Sequence, residues 1–446
     1  MQSNQKWSSK IGFILASAGA AIGLGAIWKF PYMTGMNGGG AFYLVFIAFT
    51  IIIGLPILIA EFIIGRGAGT EAVQAYNKFA PKSLWSFIGH WGVAGAFLLM
   101  SFYSVVGGWV LIYSALSIPG LIIKENANYA ELFAQITGSP LIVILGLALV
   151  MLINIVVVSL GIQNGIEKAS KVLMPLLFIF FIVLVIRAVT FEGAMEGVRF
   201  FLQPDFSKLN AENILYALGQ SFFLLAVGIS VMVTYSSYLS KDVSIPFAAG
   251  SVSIMNIIVT LLAGLAIFPV VFAFGLEPTE GPGLLFIVLP EAFSGMPFGE
   301  LFLSLFLLLF LFAVLTSSFS MLEIITAAFT NKKKRSRKKV AFLAGLLVFI
   351  VGIPAALSSN VLAEFKIFGL TVFDATDFLV SNIMLPAGCL FIALFIGYRM
   401  DKSIVKEEFT AANQLSQGSF QTWYGIMRYL APITIIIVFL TSLGII

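Results

Sequence analysis

Apolar residues in this chain come in blocks of bilayer length, separated by short polar stretches. Ala41–Ala60, Leu301–Leu322 and Phe378–Tyr398 each run without a single charged residue, and uninterrupted apolar segments of about 20 residues are what a membrane-crossing helix requires. With charges, prolines and glycines as punctuation, the pattern predicts eleven transmembrane helices. Helix 1 covers 11–34, helix 2 41–65, helix 3 84–118, helix 4 139–160, helix 5 166–188 and helix 6 211–239. Helix 7 covers 244–275, helix 8 298–330, helix 9 339–357, helix 10 368–398 and helix 11 421–446. The first block, Ile11–Trp28, has few preceding basic residues and no small-residue cleavage site, so it reads as helix 1 and not as a secretory signal.

Two of these helices carry glycine near their middle. Helix 1 contains Gly19-Ala-Ala-Ile-Gly-Leu-Gly25 followed by Lys29-Phe-Pro31, and helix 6 contains Gly219-Gln-Ser-Phe-Phe-Leu-Leu-Ala-Val-Gly228. Free backbone groups in hydrocarbon cost several kcal/mol each, so an interruption persists only where protein, ion or substrate satisfies them. Interrupted helices at corresponding places in two halves of a chain point to a transporter binding site. Close packing of small residues is the competing explanation of the same glycines.

Composition agrees with the pattern. The chain of 446 residues is 60% hydrophobic and 10% charged, and its mean hydropathy is +1.04; a soluble domain carries about 25% charged residues. One cysteine (Cys389) and one histidine (His90) exclude a disulfide framework, a zinc site and imidazole catalysis. Both read as packing or interfacial residues. No nucleophile–base pair is visible, which argues against an enzyme.

Charge sets the orientation. With the N-terminus cytoplasmic, 19 of the 25 lysines and arginines fall inside, leaving Lys29, Lys124, Arg187, Arg199, Lys208 and Lys366 outside. Eleven spans then put the C-terminus outside, in a cell inner or plasma membrane. The basic run 332–339 reads as a cytoplasmic loop on anionic headgroups, with no nucleic-acid role. Inside the spans, Glu61, Glu323, Asp377 and Lys29 are candidates for function, because ionisable groups are costly there. Thr316-Ser-Ser318 offers clustered hydroxyls, which together with unwound carbonyls would suit a hard cation such as sodium.

These residues also carry a family resemblance. Gly23-Leu-Gly25, Lys29-Phe-Pro31 and Asn37-Gly-Gly-Gly-Ala-Phe42 closely resemble helix 1 and loop 1 of neurotransmitter:sodium symporters. Gly219-Gln-Ser-Phe-Phe223, Thr234-Tyr-Ser-Ser-Tyr-Leu239, Leu315-Thr-Ser-Ser318 and Ser381-Asn-Ile-Met-Leu-Pro386 extend the likeness in order along the chain, nearest to the bacterial eleven-helix branch. The resemblance implies an all-α fold with broken helices 1 and 6. Its organisation would be a tail at 1–10, a first inverted repeat at 11–190, a connection at 191–210, a second repeat at 211–398, a cytoplasmic connection at 399–420 and a peripheral helix 11 at 421–446.

It also implies a site. A sodium ion would be held by the carbonyls of Gly19, Ile22 and Ala313 and the hydroxyls of Thr316 and Ser317. Tyr103 matches the position that meets a substrate carboxylate, with the amides of Gly23 and Gly25. Ala20, Ala21, Leu24, Leu99, Phe223, Ala226, Gly228, Ile229, Ser317 and Met321 would complete a pocket for an apolar or aromatic side chain. An outer gate pairs Lys29, where the family has arginine, with Asp377, Asp374 being the alternative partner; Phe223 and Tyr103 form a lid beneath it. On the inner side Trp7 and Tyr238 match. The arginine and aspartate expected near Asn4 and Asn331 are missing, so this gate must close differently.

The second sodium site is degraded: Ala26 replaces an asparagine, Leu224 replaces a hydroxyl residue, and only Asn256 keeps a ligand side chain. Phe46 and Leu224 remove hydroxyls from the chloride positions, leaving Gln220 and Thr260. The implied function is import of a neutral, hydrophobic or aromatic L-amino acid with one sodium and no chloride. Two alternatives stay open: a carboxylate-free substrate such as an indole or amine, and a sensor or leak pathway that concentrates nothing.

Overall fold

The computed structural model describes residues 6–124, 127–276, 283–331, 336–412 and 417–442; Asn4, residues 332–335 and the last four residues of helix 11 lie outside them. Among the described residues the chain is helical throughout, apart from turns and one isolated bridge between Ile367 and Leu370. Among the described residues, nine unbroken helices are long and apolar enough to cross a membrane, and the bent pair Lys10–Ala21 and Gly25–Met36 makes a tenth. The protein is therefore a multi-pass membrane protein. Its all-helical build follows from the solvent, since hydrocarbon offers nothing to an unpaired N–H or C=O.

The unbroken spans are helix 2 (Gly40–Ala68), helix 3 (Leu84–Ser117), helix 4 (Pro140–Ser159), helix 5 (Ile162–Ala188), helix 7 (Ile245–Ala273), helix 8 (Gly299–Thr330), helix 9 (Arg337–Ser359), helix 10 (Val372–Arg399) and helix 11 (Gln417–Thr441). Helix 6 is two pieces, Ala211–Phe223 and Val231–Ser236. Short helices at Ala72–Phe79, Tyr129–Gly138, Ala194–Leu202, Leu284–Ser294 and Lys402–Thr410 occupy connections where the apolar pattern predicts no span.

Two boundaries differ instructively from the sequence reading. Helix 10 starts at Val372 rather than 368, because the Thr371 side chain accepts the Asp374 N–H and caps it. Just before it, Phe368 and Gly369 turn the chain with left-handed φ of 52° and 84°. Helix 6 continues through Gly219 and breaks only after Phe223, with Ala226, Gly228 and Ser230 in left-handed conformations.

Helices 1, 3, 6, 8 and 10 surround the centre of the bundle. Helices 4, 5, 9 and 11 present apolar faces outward, with Leu149, Leu152, Ile182, Leu347 and Ile433 exposed to the surrounding lipid. Helix 10 touches the break in helix 6 backbone to backbone: a Cβ on Gly388 would collide with the Gly228 carbonyl. Glycine at 388 is what lets the two meet.

Candidate substrate and cation site

Helix 1 ends at Ala21 and resumes at Gly25 as a π turn, the two pieces bent by 55°. The bare backbone of this break is a steric requirement. A methyl on Gly23 would lie 2.5 Å from the Tyr103 hydroxyl oxygen, and one on Gly25 would lie 2.5 Å from the Phe223 ring.

The break in helix 6 is held by a carboxylate from helix 2. Glu61 is fully buried and accepts the N–H of Gly228 at 2.7 Å and of Val233 at 3.2 Å. Donors freed by unwinding are thus satisfied by an anion, which forms the stronger class of hydrogen bond. The charge pattern marked Glu61 as functional; its partners, far away in the chain, were not readable.

Between the two breaks lies a cavity of about 400 Å³, mouth included. Ala20, Ala21, Gly23, Leu24, Gly25, Leu99, Tyr103, Phe223, Ala226, Ile229, Ser317 and Met321 line it, all of them expected from the sequence. Gly228 does not; its N–H is turned away to Glu61. Val231, Ser320 and Leu385 line it in addition. Ser320 carried a signal, a third hydroxyl three residues beyond Ser317 on the same helix face, whereas Val231 and Leu385 are indistinguishable in an apolar background. No charged side chain lines the cavity, and Tyr103, Ser317 and Ser320 are its polar side chains. The Tyr103 hydroxyl accepts the Leu24 N–H at 3.0 Å, so a phenol and a freed helix-end amide converge on one spot.

Beside the cavity, helix 8 presents its hydroxyls to the broken helix 1. Ser317 Oγ donates to the carbonyls of Gly19 (2.9 Å) and Ala20 (3.2 Å), and Thr316 Oγ1 to those of Phe312 (2.9 Å) and Ala313 (3.1 Å). Ile22 is the residue at which the helix stops. Thr316 and Ser317 are buried, and the set is made of neutral oxygens. That donor chemistry fits a hard, singly charged cation. No cluster of His, Cys, Asp or Glu suited to a divalent metal occurs among the described residues.

Around the second-site positions, Ala26 and Leu224 are fully buried, and Asn256 Nδ2 donates to the Leu224 carbonyl at 2.6 Å. An amide hydrogen therefore satisfies a carbonyl in that spot.

Both ends of the pathway are fastened. On one side Lys29 Nζ lies 2.6 Å from both oxygens of Asp377 and 5.0 Å over the Phe223 ring. Asp374 instead accepts from the Thr371 hydroxyl at 2.6 Å, in the cap of helix 10. On the other side Trp7 Nε1 donates to the Tyr235 carbonyl at 2.9 Å, and the Tyr238 hydroxyl donates to Glu323 at 2.9 Å. Arg337 forks onto the same Glu323 and onto the Val158 carbonyl. This corrects the reading of the basic run as one headgroup-facing loop: Arg337 is turned inward because Glu323 is buried and needs a counter-charge. Ser8 and Lys171 add a second fastening through Glu167, with Ser8 N–H and Lys171 Nζ each 2.7 Å from the carboxylate.

Two broken helices meeting at an uncharged cavity, with an ion-paired closure on either side, define a secondary transporter. The chain belongs to the sodium:neurotransmitter symporter family, whose model matches residues 4–129 and 135–445. It is thus a sodium-coupled transporter and not an enzyme. It is 52% identical over 99% of its length to an uncharacterised sodium-dependent transporter, YhdH, of Bacillus subtilis, covering 98% of that protein. A sodium- and chloride-dependent GABA transporter 2 of Homo sapiens is 27% identical, with 87% of this chain and 71% of that one aligned. Among solved structures, MhsT crystallised in complex with L-phenylalanine is similar at 42% identity and a TM-score of 0.92, over 98% of this chain and 99% of that one.

Proposed function

We propose that this transporter imports a neutral L-amino acid with a hydrophobic or aromatic side chain by alternating access, coupled to one sodium ion and without chloride. The observation that carries the reading is the polarity of the cavity. One end gathers Tyr103, Ser317 and the amides of the helix 1 break, and the remainder is apolar and uncharged. A carboxylate suits the first part, since anions are stabilised at freed helix-end N–H groups. The substrate ammonium would be met by carbonyls of the unwound segments, and the side chain by Leu99, Phe223, Ile229, Val231 and Met321. The solved relative bound to L-phenylalanine supports this substrate class.

Sodium would sit between helices 1 and 8 on Gly19, Ile22, Ala313, Thr316 and Ser317. A second sodium is disfavoured because Ala26 and Leu224 bring no oxygen side chain, which leaves Asn256 Oδ1, buried without a hydrogen-bond partner, as the remaining side-chain oxygen of that set. The two pieces of helix 6 count as the eleventh span in this reading, and the halves 11–190 and 211–398 as inverted repeats. Lys29–Asp377 would be the outer gate, and Trp7, Tyr238, Glu323 and Arg337 the inner one, with the N-terminus cytoplasmic. The direct test is uptake of labelled L-phenylalanine, L-leucine and L-tryptophan into proteoliposomes. Accumulation driven by an inward sodium gradient supports the proposal. Sodium-driven uptake of tryptamine but of none of the three amino acids would transfer it to the carboxylate-free class, and equilibration without accumulation would make the chain a leak.

A further inference from the structure

A different part of the molecule holds an arginine that makes no ion pair among the described residues. Arg428 lies within the span of helix 11, where an ionisable side chain is costly and seldom idle. Its guanidinium sits 4.9 Å from the ring centre of Tyr398, at the end of helix 10, and 5.7 Å from that of Tyr429. Both rings are exposed on the outer face of the bundle, at 55% and 60%. The Tyr398 hydroxyl donates to the Arg428 carbonyl at 2.8 Å, so the tyrosine fastens the backbone and leaves the charged end to its ring face. Arg428 Nε is buried without a hydrogen-bond partner, and none of the ion pairs among the described residues involves Arg428, Arg399 or Lys402.

The neighbourhood adds positive charge. Exposed Arg399 follows Tyr398 directly, and Lys402 Nζ lies 4.9 Å over the Tyr424 ring, whose hydroxyl donates to the Gly397 carbonyl at 3.1 Å. Two basic groups, Arg428 and Lys402, and three tyrosines therefore meet where helices 10 and 11 touch, with exposed Arg399 next in the chain. Tyrosine is the residue of bilayer interfaces, and basic clefts between helices are sites for acidic headgroups.

We propose that this cleft binds the phosphate of an anionic phospholipid, with Arg428 as its principal contact and Arg399 and Lys402 flanking it. Cation–π contact leaves Arg428 Nε without a hydrogen-bond partner, and a phosphate oxygen pair matches the arginine fork. The bound lipid would bridge helix 11 to helix 10, the helix that carries Asp377.

The test is retention of lipid by the purified full-length protein in detergent, read by native mass spectrometry. Palmitoyl-oleoyl phosphatidylglycerol is compared with phosphatidylcholine of the same chains, and with inorganic phosphate as the free anion. Each interfacial charge is expected to change acidic-lipid affinity about fivefold. Arg428→Gln should lower phosphatidylglycerol retention by about that factor, Arg428→Lys should recover most of it, and phosphatidylcholine should be indifferent to both. Lys402→Gln, at an exposed site that poses no folding risk, should give a smaller loss in the same direction. Equal retention of the two lipids by the unaltered protein, or an unchanged preference in both Gln variants, overturns the proposal. Displacement of the lipid by millimolar phosphate overturns the lipid assignment in favour of a free-anion site.

Discussion

Replacing Tyr103 by phenylalanine removes one oxygen from the centre of the proposed carboxylate site and little else. In the structure that oxygen accepts the Leu24 N–H at 3.0 Å inside a buried cavity. The variant thus loses something in both states. Without substrate it loses a neutral hydrogen bond, of about 0.5–1.5 kcal/mol; with a carboxylate bound it also loses a charge-assisted one, of about 1.5–3 kcal/mol. The hydroxyl accepts from Leu24 in both states, so that bond cancels and the affinity change is the charge-assisted bond, about 1.5–3 kcal/mol, which is about tenfold to somewhat over a hundredfold in Kd. Scintillation proximity binding of tritiated L-phenylalanine or L-leucine at saturating sodium measures it directly. The substrate-free protein should also melt at a lower temperature, because the Leu24 N–H is orphaned. A Kd within twofold of the parent, alongside that loss of stability, would refute a carboxylate at this spot. Loss of all binding with an unaltered melting temperature would show that the hydroxyl does more than accept and donate single bonds.

Thr316→Ala combined with Ser317→Ala should abolish sodium-dependent binding while the protein still folds; sodium activation unchanged in a thermal-shift titration removes the site assignment. Uptake should rise with sodium with a Hill coefficient near one, and its reversal potential should follow a single ion. Replacing chloride by gluconate should leave uptake unaltered; dependence on chloride, or a two-ion reversal potential, counts against the reading. Glu323→Gln should lower stability by about 3–5 kcal/mol, since it strands Arg337 beside a neutral partner, and adding Arg337→Gln should restore part of it. A double variant no more stable than either single one would show that the two charges do not act as a pair.

The membrane-crossing blocks were legible because they need only local information, whereas the cavity residues came through the family resemblance, which missed Val231, Ser320 and Leu385. Apolar blocks such as Leu301–Leu322 announce themselves by length, and Gly23 and Gly25 by the absence of a side chain in a hydrocarbon setting. The break in helix 6 was legible as an event but not as a position. Glycine suggested a window from 219 to 228, yet Gly219 stays helical, and Gly228 shares the left-handed conformations of the break with the non-glycines Ala226 and Ser230. What places the break is Glu61, a carboxylate distant in the chain that needs the N–H groups of Gly228 and Val233. Arg337 was hidden for the opposite reason. It sits in a run that is basic apart from Ser336, and only the fold reveals that a buried Glu323 lies within its reach. Local patterns report on the solvent around a segment; charge partners are chosen by topology.

The apolar residues Ala26 and Leu224, buried at the second-site positions, would set a ceiling on what the transporter can accumulate under the proposed coupling to one sodium. In the proposed one-sodium cycle, each turnover draws on a single ion. Across 100 mV and a tenfold sodium gradient one ion supplies about 3.7 kcal/mol, so the neutral substrate can be concentrated about 500-fold. A second ion would raise that limit to roughly 200,000-fold under the same conditions, at the cost of twice the sodium and charge entry per molecule. An importer coupled in this proposed way would be suited to gathering a nutrient that is present outside at modest levels, with half the electrical load on the membrane.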